Sequence, residues 1–337
     1  MKNKLLISLG LAILVLPLSN CTVVPQNTAI MSQVSVAEEG GIRFIQVTEE
    51  SENVFGPSVS SYSTAITWST NQFLCVSADG NNLAYIGDGG AGAKNTNIFI
   101  RDTKGGKSTT QRTFKNGVLS PNYSPDGKHL IFSDYSEGDY NIYQINSREG
   151  SAVQQITASV ANETQPVFSK NGKEIFFVKE AGDSKTYNIW TFNRESSVMT
   201  QFSEGFNPCP IDDKRILVTR NNKSSKRGEI WLLDLTTGSE TMIVSDGKIG
   251  FSNPRISPDG KRLILVGATP ATKNSRSNLN LYIINMDGTK LTQLTFHPAH
   301  DASPEWALDG KSIYFISGRG NKTQKYQIWN MSIDTNN

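Results

Sequence analysis

Residues able to hold a metal or drive a reaction are sparse in this chain. Only three histidines occur among 337 residues. Two of them, His297 and His300, lie three apart and run into Asp301. Two imidazoles and a carboxylate are the donor types that take a divalent ion. The spacing comes without a helical pattern to hold both rings on one face, so the expectation is a turn with ordinary loop histidines. No metal and no other cofactor is assigned. Gly106-Lys107-Ser108 has the look of a phosphate-loop fragment, but the glycine needed five residues earlier is Arg101, and the segment reads as a hairpin turn. No Gly-x-Ser-x-Gly elbow is present, which argues against a hydrolase domain. Gly87 to Gly92 is read as a solvated loop between strands. No catalytic residue is assigned, and the chain is expected not to be an enzyme.

Composition points the same way. The 33 basic and 31 acidic residues nearly cancel, leaving a formal charge of +2. Nucleic acid is therefore not an expected partner. Hydrophobic residues make up 37 %, enough for a sizeable core.

The organisation of the chain is set by a repeat. Ser124-Pro125-Asp126-Gly127 and Ser257-Pro258-Asp259-Gly260 are identical, and Ser77-Ala78-Asp79-Gly80, Ser169-Lys170-Asn171-Gly172 and Ala307-Leu308-Asp309-Gly310 are looser copies. With Asp213 standing for a degraded copy, the markers Asp79, Asp126, Asn171, Asp213, Asp259 and Asp309 lie 47, 45, 42, 46 and 50 residues apart. Ser-Pro-Asp-Gly is type I turn chemistry: serine opens it, proline presets φ, and glycine can turn left-handed. A short strand precedes each turn, usually with a proline. An apolar strand follows, then a strand with an early aromatic, then a strand ending Gln-x-Thr or Gln-x-Ser. Four short antiparallel strands at this period describe propeller blades. The predicted fold is all-β, a six-bladed β-propeller.

The sixth unit reaches Gln327-Ile328-Trp329-Asn330-Met331 without a fourth strand, and Phe44-Ile45-Gln46-Val47-Thr48 carries the missing Gln-x-Thr ending. Residues 42–48 are therefore predicted to be the outer strand of blade six, covering its edge and closing the ring. Alternation sets Phe44 and Gln46 on one face of that strand, and Ile45 and Val47 on the other. The propeller is assigned to 42–333, with 334–337 as a tail.

Aligning the blades yields a candidate surface. Four residues before each marker stand Cys75, Asn122, Val167, Cys209, Arg255 and Glu305, and the next column is largely apolar. By alternation the first column faces the central channel or the adjoining blade. Asn122, Arg255 and Glu305 are thus the possible binding surface, with Arg255 and Glu305 expected to pair across neighbouring blades. Cys75 and Cys209 fall on opposite blades, too far apart for the roughly 7 Å Cα separation of a disulfide.

Two resemblances extend this reading. Lys2 and Lys4 precede a fourteen-residue apolar run, Leu5 to Leu18, shorter than the roughly 20 residues of a membrane span. It ends in Leu18-Ser19-Asn20-Cys21, which resembles the bacterial lipoprotein signal except at Asn20, where a smaller residue is usual. The resemblance implies a signal peptide over 1–20 and a lipid on Cys21, with the membrane as a partner. Because Thr22 rather than Asp follows, it implies the outer membrane, facing the periplasm. Residues 21–41 are polar and read as a flexible tether. The proline strand, Ser-Pro-Asp-Gly turn, aromatic third strand and Gln-Leu-Thr strand resemble the TolB-like propeller repeat, as does Phe315-Ile316-Ser317-Gly318-Arg319-Gly320. TolB carries an α/β domain ahead of its propeller, and here only the tether stands in that place. The resemblance implies a scaffold that binds envelope proteins. The alternative is a carbohydrate-binding or carbohydrate-active propeller, similar to oligogalacturonate lyases, with a metal near His297 and His300.

Overall fold

A computed structural model describes residues 22–25, 35–49, 52–57, 71–88, 95–104, 109–111, 113, 117–136, 138–147, 152–182, 186–272, 277–320 and 325–333. Six antiparallel sheets form the blades. Their inner strands are Leu74–Val76, Leu119–Tyr123, Glu163–Phe168, Phe206–Pro210, Gly250–Ile256 and Asp301–Trp306. Blades one to five each have four strands in sequence order, and blade six has six. The apolar second strands, such as Leu263 to Val266, are fully buried between blades.

Local chemistry builds each blade twice over. In the second blade Gly127 N–H donates to the Ser124 carbonyl (2.8 Å) with Gly127 at φ 69°, and the Ser124 hydroxyl donates to Asp126 Oδ1 (2.6 Å). That carboxylate also accepts the Lys128 N–H (3.0 Å), and His129 N–H donates to Ser124 Oγ (2.9 Å). The fourth blade turns in one residue fewer, and there Asp212, not Asp213, accepts the Lys214 N–H at 2.9 Å. The marker in that blade is therefore Asp212. At the outer edge, the threonine of Gln-x-Thr accepts a third-strand N–H: Thr113 from Ile98 (3.0 Å), Thr157 from Ile142 (3.0 Å) and Thr295 from Leu281 (2.9 Å).

The same clasp recurs where the ring closes. Ile42–Gln46 pairs antiparallel with Gln327–Ser332, setting Gln46 opposite Trp329 and Phe44 opposite Met331. Thr48 Oγ1 accepts the Ile328 N–H at 2.9 Å and donates to Gln327 Oε1 at 2.7 Å. Phe44 and Gln46 face inward, as alternation requires.

The tether reading of residues 21–41 is corrected over the described residues, 22–25 and 35–41. Ser35–Glu39 adds a further strand on Ile42–Gln46, and Thr22–Pro25 one beyond that. The cause is local: Gly40 and Gly41, at φ 58° and 80°, make a two-residue hairpin with both φ positive, the geometry that matches strand twist. Ala37 then packs beside Phe44, Phe315, Trp329 and Met331. A polar composition concealed a strand with only one buried face. The segment 52–57 adds a second closure, since Val54 bridges both Gly87 of blade one and Tyr326 of blade six.

Candidate functional site: the channel mouth

Five of the inner strands carry the same irregularity. Register shifts fall between Leu119 and Asn122, Thr164 and Val167, Phe206 and Cys209, Ser252 and Arg255, and Ala302 and Glu305. Within each lies a polar residue followed by proline. Ser120, Gln165, Asn207, Asn253 and Ser303 have φ between 50° and 54°. The proline has no N–H to contribute to the ladder, so the bulge forms there without a lost donor.

This bulge has two consequences. It sends the left-handed residue's side chain toward the neighbouring blade: Asn207 N–H donates to Gln165 Oε1 (2.7 Å), Asn253 N–H to Asn207 Oδ1 (3.2 Å) and Phe73 N–H to Ser303 Oγ (3.1 Å). Backbone donors left outside the ladder are thereby satisfied across the blade boundary. Sequence reading missed this column, although a polar residue before proline five times over was its signal. The bulge also turns the residue two positions on into the channel. Cys75, Asn122, Val167, Cys209, Arg255 and Glu305 all hold the same register against their second strands.

Asn122, Arg255 and Glu305 line one cavity of about 350 Å³ at the end of the channel bearing the Ser-Pro-Asp-Gly turns. Tyr123, Phe168 and Ile256 of the next column form its apolar rim. Deeper in, the channel narrows to a void of about 20 Å³ between Gln72, Asn122, Gln165 and Arg255, room for about one water. Arg255 Nε donates to Glu305 Oε1 at 2.7 Å, and its Nη1 to the Pro254 carbonyl at 2.9 Å. Gln72 Nε2 reaches the same carboxylate oxygen at 3.3 Å. Burial pushes the Glu305 carboxyl up, while Arg255 pulls it down. Cys75 and Cys209 are free, buried thiols on blades one and four, and burial pushes Cys75 well up, away from the reactive thiolate.

The histidine grouping is differently placed. Asp301 is fully buried at the start of the sixth inner strand, and Arg319 Nη2 donates to its Oδ2 at 2.7 Å. His300 Nδ1 accepts the Leu279 N–H (3.1 Å) and His297 Nδ1 the Ala299 N–H (3.0 Å). Burial lowers both imidazoles. The three side chains thus serve separate structural contacts, and among the described residues no group of three or more His, Cys, Asp or Glu side chains could hold a metal ion. Cys21 and Gly106-Lys107-Ser108 lie outside the described residues, as does most of the loop from Gly87 to Gly92.

The fold and its site define a six-bladed propeller of TolB-type repeats with a polar channel mouth. Residues 74–227 and 212–337 match the PD40 family, the TolB beta propeller domain, and the chain belongs to it. It is 25% identical over 247 residues to the Tol-Pal system protein TolB of Francisella tularensis subsp. mediasiatica, covering 71% of this chain and 54% of that protein. It is also 25% identical over 212 residues to the uncharacterized peptidase YuxL of Bacillus subtilis, covering 61% of this chain and 31% of the peptidase. The chain therefore spans about half the length of one relative and a third of the other. Among solved structures, the oligogalacturonate lyase of Vibrio parahaemolyticus superposes with a TM-score of 0.61 at 11% identity, covering 90% of this chain and 96% of the lyase. That likeness is one of fold. A shared propeller carries no reaction by itself, because function resides in the site grafted on it.

Proposed function

We propose that this chain is a non-enzymatic, protein-binding propeller of the bacterial cell envelope, tethered by lipid on Cys21 and presenting its channel mouth to an envelope protein. The observation that carries this reading is the mouth itself: a cavity with an apolar rim and a few convergent polar groups, the usual make-up of a recognition site. The Tol-Pal system relative supports an envelope protein as the occupant. The lipoprotein-like leader supports a location at the outer membrane, facing the periplasm.

The test places a photo-cross-linking residue at Asn122 and, as a control, at Val160 on the opposite face. Irradiating cells should give a discrete adduct with an envelope protein from the mouth position. Adducts from Val160 alone would move the interface to the other face and refute the reading. The anchor is tested by Cys21→Ser, which should release the protein from the membrane fraction, since stable anchoring takes more than one acyl chain. Unchanged membrane association would refute it.

A further inference from the structure

The polar groups at the mouth have unequal demands. Arg255 spends Nε on Glu305 and Nη1 on the Pro254 carbonyl, and among the described residues its Nη2 has no partner. Lys170, exposed in the turn of blade three, lines the same cavity and has no ion-pair partner among the described residues. Its charge reaches Glu305 across the channel. Asn122, on the blade opposite Arg255, has no side-chain hydrogen bond among the described residues.

Two cations and one carboxylate face the cavity, so one positive charge is left uncompensated. Three donor groups stand free against one carboxylate oxygen, Glu305 Oε2. Such an imbalance is matched by a ligand with negative charge and two acceptor atoms. The apolar rim formed by Tyr123, Phe168 and Ile256 sheds water from the approach and strengthens the charge attraction inside.

We propose that the channel mouth binds a carboxylate carried on an extended peptide segment, with Arg255 Nη2 and Lys170 Nζ as its charged donors and Asn122 as the neutral one. This rests on the protein-binding reading above and specifies the partner's chemistry. The carboxylate can come from an acidic side chain or from a chain terminus.

The probes are four short peptides: acetyl-Gly-Gly-Asp-Gly-amide, its Asn counterpart, tetraglycine acid, and tetraglycine amide. Binding is followed at low salt by the Nε–Hε resonance of Arg255 in the 15N-labelled protein. Each acid should bind about tenfold more tightly than its amide counterpart. Lys170→Gln, in an exposed turn, should weaken both acids several-fold and leave the amides unchanged, with an unaltered melting temperature. Preference for the Asp peptide over tetraglycine acid assigns the carboxylate to a side chain, and the reverse preference to a terminus. Acids and amides binding equally, no binding by any peptide, or a Lys170→Gln variant with intact acid preference would each overturn the proposal. Digalacturonate binding more tightly than either acid would overturn the peptide assignment. Cross-linking at Asn122 without acid preference sinks this proposal alone. Acid preference without any cross-linked protein sinks the protein-binding reading and leaves the carboxylate site.

Discussion

Replacing Arg319 by methionine should open the closure of the ring at its most buried charge. Arg319 is 1% exposed and Asp301 0%, and the two are joined at 2.7 Å. Its Nη1 also lies 3.5 Å from Glu39 Oε2 on the added strand, and its guanidinium carbon sits 4.1 Å from the Phe44 ring centre. One side chain thus links the inner strand of blade six to two N-terminal strands, Ser35–Glu39 and Ile42–Gln46. Methionine keeps much of the apolar stem but leaves Asp301 and Glu39 without a cation. Removing one partner of a buried pair costs about 3–5 kcal/mol, a large part of the roughly 5–15 kcal/mol that holds a typical domain folded. The melting temperature should fall by on the order of 10 °C, read by calorimetry at pH 7. Burial already raises the Glu39 carboxyl against the pull of Arg319, and losing that pull raises it further. A raised carboxyl contributes stability when protonated and loses it as pH rises through its folded value, so the deficit should narrow at pH 5. Adding Asp301→Asn should recover part of the loss by removing the orphaned charge. A drop below about 1 kcal/mol, well under the buried-pair range, would refute the reasoning, as would a double variant less stable than the single one.

The clasp at Thr48 is open to an isosteric test: Thr48→Val strands the Ile328 N–H and Gln327 Oε1 in a buried site and should cost about 2–4 kcal/mol in urea unfolding. A change within about 0.5 kcal/mol, typical of a surface substitution, would mean that the strand does not close the ring. In a truncation series, removal through residue 34 should leave the melting temperature nearly unchanged, through 41 should lower it by exposing Phe44, and through 48 should lower it most. Equal effects of the first two cuts would return Ser35–Glu39 to a tether. On acidification, Asp79 is held down to about 2 by the Ser77 hydroxyl and the Asn81 N–H, and Asp126 and Asp259 are lowered the same way by their serines. Lowered carboxyls contribute stability above the ordinary aspartate range and lose it as pH falls, so the melting temperature should drop between pH 3.8 and about 2. A flat profile there would show that the turns do not need their carboxylates.

The blade count and the turns were legible because each rests on contacts close in sequence, repeated from unit to unit. Ser124, Asp126, Gly127 and Lys128 meet within five residues, so their chemistry shows in any copy. The clasp at Thr48 was legible because its partner strand could be identified by what blade six lacked. The pairing of Arg255 with Glu305 followed from the same alignment, since equivalent positions on neighbouring blades meet around the axis. Other features required the tertiary structure. Ser35–Glu39 is a strand because the Gly40-Gly41 hairpin lays Ala37 against Phe44, and five residues with one buried face leave little apolar pattern to read. Asp301 stands beside two histidines in the sequence, but its partner is Arg319, eighteen residues away, brought inward by the end of the second strand. Which donors at the mouth are spent, and which are free, depends on hydrogen bonds between blades, and no spacing along the chain encodes those.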